Sequence, residues 1–147
     1  MAADVDRVLV PTDGAPLSRD ALVYALAVHP TAEITVLHVI DYVEEMDVAE
    51  AMIGREELRE RTTERAETLL ADVTADVTDE DRLTTTYVFG TPAAEILSYT
   101  EDHDIDLIVM GSHGRTGLSR VILGSVAQSV LTGAPVPVTI IRWPRSS

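Results

Sequence analysis

Short apolar runs rich in β-branched residues recur along this chain, each followed by a turn and then by a stretch with helical spacing. That alternation limits the fold more than any other feature, because it is the pattern of a parallel sheet whose crossovers are helices. Val5 to Pro11 contains Val8, Leu9 and Val10, a run that reads as a strand buried on both faces. Pro11 to Pro16 is turn chemistry. Leu17 to Val28 reads as a helix, with Leu22, Ala25, Leu26 and His29 at helical spacing, ended by His29-Pro30. Ile34 to Ile40 is a second strand.

A long helix is expected from about Val48 to Val77, with Gly54 able to kink it or delay its start. Its Glu and Arg residues, for example Glu57 and Arg61, read as a solvated face. Asp79-Glu80-Asp81 makes a turn, and Leu83 to Phe89 is the third strand. Thr91 and Pro92 sit where an N-cap and a first helical residue belong, and this helix runs to about His103. Asp106 to Met110 is the fourth strand, Gly111 to Leu123 a glycine-containing loop, Gly124 to Leu131 the last helix and Val136 to Ile141 the fifth strand. The expectation is one α/β domain over 1–147, with helices on both faces of a doubly wound parallel sheet.

Composition narrows the function. The chain of 147 residues has a hydrophobic fraction of 46% and a formal net charge of −14. Such a charge disfavours non-specific nucleic-acid binding. No apolar run has the length of a membrane span. The start lacks a basic segment followed by an apolar stretch, so the cytoplasm is the expected location. There is no cysteine, which removes disulfides, thiolate metal sites and cysteine nucleophiles. All 11 basic residues are Arg. An acidic, Lys-free surface resembles that of proteins from salt-loving organisms, in which bulk salt screens self-repulsion.

The stretch that carries chemistry is Gly111-Ser112-His113-Gly114, nine further residues, then Gly124-Ser125. It lies between a predicted strand and a predicted helix, where doubly wound sheets bind ligands. Glycine amides approach phosphate oxygens closely, the following helix adds its N-terminal amides and dipole, and Ser125 adds a hydroxyl. A Walker loop needs a lysine that this chain does not have, and a dinucleotide G-x-G-x-x-G does not follow the first strand. Read without this spacing, Gly111 and Gly114 are turn glycines, Ser125 an N-cap, and Asp13 a helix cap or Asx turn. His113 has no partner in sequence and reads as a loop residue. Arg115 and Arg120 read equally as phosphate ligands or surface charge. His29, His38 and His103 are scattered, and Trp143 reads as a packing or interface residue.

Gly-x2-Gly-x9-Gly-Ser resembles the ATP-binding motif of the universal stress protein family. Met110 to Leu118, Pro11-Thr12-Asp13-Gly14, Gly90-Thr91-Pro92 and Pro135-Val136-Pro137-Val138 are similar to that family too. The resemblance implies a five-stranded sheet in the order 3-2-1-4-5, with the loops after strands one and four facing each other. It implies ATP, alone or with Mg²⁺, as ligand. The implied binding set is Pro11, Thr12, Asp13, Val39, Ile40, Gly111, Gly114, Arg115, Gly124, Ser125 and Val126. In that set Asp13 meets the ribose, the end of strand two flanks adenine, and the glycines and Ser125 hold phosphates. No residue is assigned a catalytic role or a metal. The resemblance also implies a homodimer through the last strand, where Val136, Val138 and Ile140 share one face and Pro137 limits pairing on its side. Three functions follow from these readings: a nucleotide-responsive binding module, a slow ATP hydrolase, and a nucleotide-free dimeric scaffold. Adenylyl-transferring relatives fit less well, since neither Ser-Gly-Gly-x-Asp-Ser nor His-Ile-Gly-His occurs.

Overall fold

A computed structural model describes residues 4–41, 54–78, 80–112 and 123–142. Its strands are β1 (Arg7–Pro11), β2 (Glu33–Ile40), β3 (Leu83–Phe89), β4 (Leu107–Gly111) and β5 (Val138–Ile141). Its helices are α1 (Pro16–Val28), α2 (Arg55–Val73), α3 (Pro92–Asp102) and α4 (Ser125–Gly133), with a 3₁₀ turn at Glu80–Arg82. All neighbouring strands are parallel, in the order β3-β2-β1-β4-β5.

Two cores form because alternate residues of each strand point to opposite faces. Val8 and Val10 of β1, Ile34 and Val36 of β2, and Leu107 and Val109 of β4 meet Ala21, Leu22 and Ala25 of α1 and Leu70 and Val73 of α2. Leu9, Leu37, Val39, Ile108 and Met110 point the other way, onto Ile96 of α3 and Ala127 and Val130 of α4. The connections wind outward from β1 in one direction and from β4 in the other. Crossovers of one hand therefore place α1 and α2 on one face and α3 and α4 on the other.

The sequence explains the local choices. Pro16 opens α1 at a position that has no intrahelical acceptor to lose. In α2, Leu58, Thr62, Ala66, Leu70 and Val73 make one buried stripe, and Arg61 pairs with Glu57 at 3.4 Å on the solvent side. This helix is shorter than the expected 48–77. It begins at Arg55 because Gly54, with φ at 82°, is outside the helical region. It stops at Val73, where the Thr74 hydroxyl donates back to the Leu70 carbonyl at 2.8 Å. The remainder of that expected helix start, 48–53, lies outside the described residues. The last strand also starts later than expected, at Val138, and α4 extends to Gly133.

Arg82 joins the layers. Its guanidinium donates to the carbonyls of His29 (2.7 Å), Ala32 (2.9 Å) and Leu26 (3.1 Å). A cation thus meets the carbonyl end of α1, where the helix dipole favours positive charge. Among the described residues, no helix is long and apolar enough to cross a membrane.

Candidate functional site

β1 and β4 lie side by side, and the chain leaves them toward opposite faces, so a crevice opens beyond their carboxyl ends. The β1 side of that crevice is tightly bonded. The Thr12 N–H donates to the Leu37 carbonyl at 2.8 Å, and the Thr12 hydroxyl accepts from the Gly14 N–H at 3.0 Å. The Thr12 carbonyl accepts from Nδ1 of His38 at 2.8 Å. A carbonyl carries no proton, so this contact assigns the ring proton to Nδ1. With three bonds made, Thr12 is buried.

Asp13 follows in the same turn. Its Oδ1 accepts from the Ala15 N–H at 2.9 Å and from the Ser18 hydroxyl at 3.4 Å, while Gly14 takes φ of 86°. The Asx-turn role is therefore realised, and it fixes the direction of a half-exposed carboxylate at the strand end. Pro11 is buried at the end of β1.

On β2, the Ile40 carbonyl accepts from the Gly90 N–H at 2.9 Å, so Ile40 gives its backbone to the β3 side. Val39, one residue earlier, turns its backbone toward β1, while its side chain is buried in the core under α3 and α4.

On β4, Gly111 is required by packing. A Cβ there would lie 2.7 Å from Cβ of Leu17, in the first turn of α1. The glycine lets the start of α1, which follows the Asp13 turn, approach the end of β4. The Ser112 N–H then donates to the Ile141 carbonyl at 2.8 Å, and the Ser112 carbonyl accepts from the Gly124 N–H at 2.7 Å. Gly124 is the N-cap of α4, and among the described residues no side chain caps this helix. Its first turn starts at exposed Ser125, and the N–H groups of a helix's first turn have no intrahelical acceptor. Val126 is half-buried against the core on the α3 and α4 face.

The structure brings together Pro11, Thr12, Asp13, Val39, Gly111, Gly124 and Ser125 around the strand ends, with Ile40 and Val126 behind them in the packing. Gly114 and Arg115 lie outside the described residues, as do His113, Arg120 and Trp143. From sequence His38 reads only as a scattered histidine, and Ser112 only as a member of the Gly111–Gly114 motif with no role of its own. The signal for His38 was a polar residue inside the apolar run Leu37-His38-Val39. Ser112 offered none, since it acts through its backbone. Among the described residues, no cluster of three or more His, Asp or Glu side chains could hold a metal ion.

β5 is the terminal strand of the sheet, and no described strand pairs with its outer side. Ile108 donates to the Pro137 carbonyl at 3.1 Å, and Ser112 to the Ile141 carbonyl. Residues 137, 139 and 141 therefore face β4, and Val138 and Ile140 present their backbone to the open edge. The missing donor of Pro137 is on the β4 side, so the side on which it limits pairing is that of β4 and not the outer edge. The side chains of Val136, Val138 and Ile140 pack against their own chain's core.

A family model described as the universal stress protein family matches residues 4–142. The chain belongs to the universal stress protein family. Among its relatives, universal stress protein MJ0577 of Methanocaldococcus jannaschii is 29% identical over 158 residues, covering 97% of this chain and 98% of that protein. Universal stress protein YxiE of Bacillus subtilis is 31% identical, covering 93% and 99%. The solved structure of MJ0577 superposes with a TM-score of 0.82 at 32% identity, over 98% of this chain and 100% of that one. Two more distant structures share the fold alone. One is a universal stress protein in complex with cAMP (20% identity, TM-score 0.58). The other is a family protein of Arabidopsis thaliana with AMP bound (16%, 0.64).

Proposed function

We propose that this chain is an ATP-binding module of the universal stress protein family, acting as a nucleotide-responsive dimer rather than as an enzyme with a dedicated catalytic set. The observation that carries the reading is the start of α4, uncapped among the described residues and tied by Gly124 to Ser112 at the end of β4, the neighbour of β1, which leads into the Asp13 turn. A helix start without a cap suits phosphate oxygens. A carboxylate held at the neighbouring strand end suits the ribose diol and would repel a phosphate, which sets the direction of the ligand. Val39 offers an N–H and a carbonyl that fit a ring nitrogen and an exocyclic amine, as adenine presents. The Gly114 and Arg115 assignments stay part of the proposal through the sequence motif. Family proteins of the same fold hold cAMP and AMP, which supports an adenine nucleotide.

The dimer is proposed through β5. Backbone groups of Val138 and Ile140 face outward along an edge that nothing among the described residues covers, and an open edge pairs readily with a second copy.

The test is to purify the protein at high salt, release small molecules by denaturation and identify any nucleotide by chromatography and mass. ATP near one per chain supports the module. ADP or AMP alone redirects the reading to hydrolysis or sensing. An empty site that also ignores added ATP removes the nucleotide and leaves a scaffold.

A further inference from the structure

We propose that His38 is a positioning residue of this site: its ring takes the Thr12 carbonyl and so keeps the Val39 N–H available to the base. The inference rests on the nucleotide reading above and adds a residue to it.

The β1–β2 ladder shows what His38 replaces. The Glu33 N–H donates to the Asp6 carbonyl at 2.8 Å, and the Thr12 N–H donates to the Leu37 carbonyl at 2.8 Å. Between these bonds the strands are in continuous parallel register from Arg7–Glu33 to Pro11–Leu37. In such a ladder the next rung is a bond from the Val39 N–H to the Thr12 carbonyl. That rung is absent. The Thr12 carbonyl accepts from Nδ1 of His38 instead, at 2.8 Å. Among the described residues the Val39 N–H has no acceptor, although Val39 is only 9% exposed.

The direction of the ring explains the loss. His38 has the same parity on β2 as Ile34 and Val36, so its side chain lies on the α1 and α2 face. A carbonyl has two lone pairs and can accept twice. A donor on one face of the sheet, however, draws the Thr12 carbonyl out of the plane in which the next rung would form. β1 is thereby released into the Asp13 turn one residue before the ladder would have closed over the crevice. A buried N–H left without an acceptor is costly unless something fills it. Its position at the strand end, beside the Asp13 turn, makes a ring nitrogen of the bound base the acceptor.

The experiment compares wild type, His38→Leu and His38→Asn at high salt, by amide hydrogen exchange at Val39 without nucleotide and by direct ATP titration. Leu keeps an apolar side chain and loses the donor; Asn places an N–H close to the Nδ1 position. The expected result is Val39 exchange slowed and ATP affinity weakened about tenfold in His38→Leu, the effect of one hydrogen bond. Asn should restore wild-type exchange and bring affinity back to within about threefold. Unchanged Val39 exchange in folded His38→Leu overturns the proposal. So does an equal loss of affinity in both variants accompanied by equal loss of thermal stability, which marks a general packing role. The exchange comparison needs no ligand. A wild type that ignores ATP therefore defeats the nucleotide reading, while slowed exchange in His38→Leu still upholds the role of the ring in opening the ladder.

Discussion

The N–H of Gly124 donates to the carbonyl of Ser112 at 2.7 Å, and this bond returns the chain to the end of β4 after residues 113–123. It sets the first turn of α4 at the end of β4, where no side chain among the described residues caps the helix. Ser112 is in turn fixed by its own N–H on Ile141, so the helix start is anchored to the two outermost strands of this half of the sheet.

Placing a carboxylate at this helix start should remove ATP binding while sparing the fold. Gly124 has φ −65° and ψ 158°, angles open to any residue, and Asp is a strong N-cap. Gly124→Asp should therefore melt at or slightly above wild type. It should lose at least about a hundredfold in ATP affinity, since like charges at contact repel strongly. Ser125→Asp should behave likewise. Calorimetric titration beside a thermal melt separates the two effects, and unchanged affinity would show that phosphates bind elsewhere.

Gly111→Ala should destabilise the domain by about 1–3 kcal/mol, the usual range for overpacking. The contact is with Cβ and backbone atoms of Leu17, so trimming that residue to Ala should not relieve it. Urea unfolding of Gly111→Ala with and without Leu17→Ala checks this. Recovery in the double variant would show that only the distal part of Leu17 is in the way.

Arg82→Met should cost about 3 kcal/mol, because three carbonyls at the end of α1 and the start of β2 lose a charged donor. Arg82→Lys should recover part of that, since an ammonium cannot span the carbonyls as a planar guanidinium does. The midpoint of urea unfolding is the measurement.

Val138→Pro should yield a folded monomer. The Val138 N–H points to the open edge, so its loss leaves the β4 ladder intact. Thr139→Pro should instead unfold that edge, because the Thr139 N–H points to β4. Sedimentation of both variants at high salt decides; a dimeric Val138→Pro protein would place the interface off β5.

Dilution from high to low salt should lower the melting temperature of the wild type. With a net charge of −14, self-repulsion grows as the screening length rises. That length goes from about 3 Å in molar salt to about 10 Å at a tenth of that. A salt-independent melt would show that acidic repulsion is not limiting.

Strand and helix positions were legible in the sequence because they depend on neighbours along the chain. Val8-Leu9-Val10 reads as a strand covered on both faces and Pro92 as a helix start, whereas Pro16 reads as turn although it opens α1, and the expected helix from Val48 includes Gly54, after which α2 begins. The spacing of Gly111, Gly124 and Ser125 marked the strand-to-helix connection that bounds the crevice. What the sequence could not assign are the contacts between residues distant along the chain. The spacing of Gly111 gives no sign that Leu17 packs against it. His38 reads as a scattered histidine until β1 ends beside it at Thr12. Pro137 limits pairing on one side, and only its carbonyl on β4 shows which side that is. Each of these depends on which strands are neighbours and in what register, and those are properties of the whole sheet. Periodicity fixes which side chains share a face; only the assembled sheet fixes what that face, and each strand end, will meet.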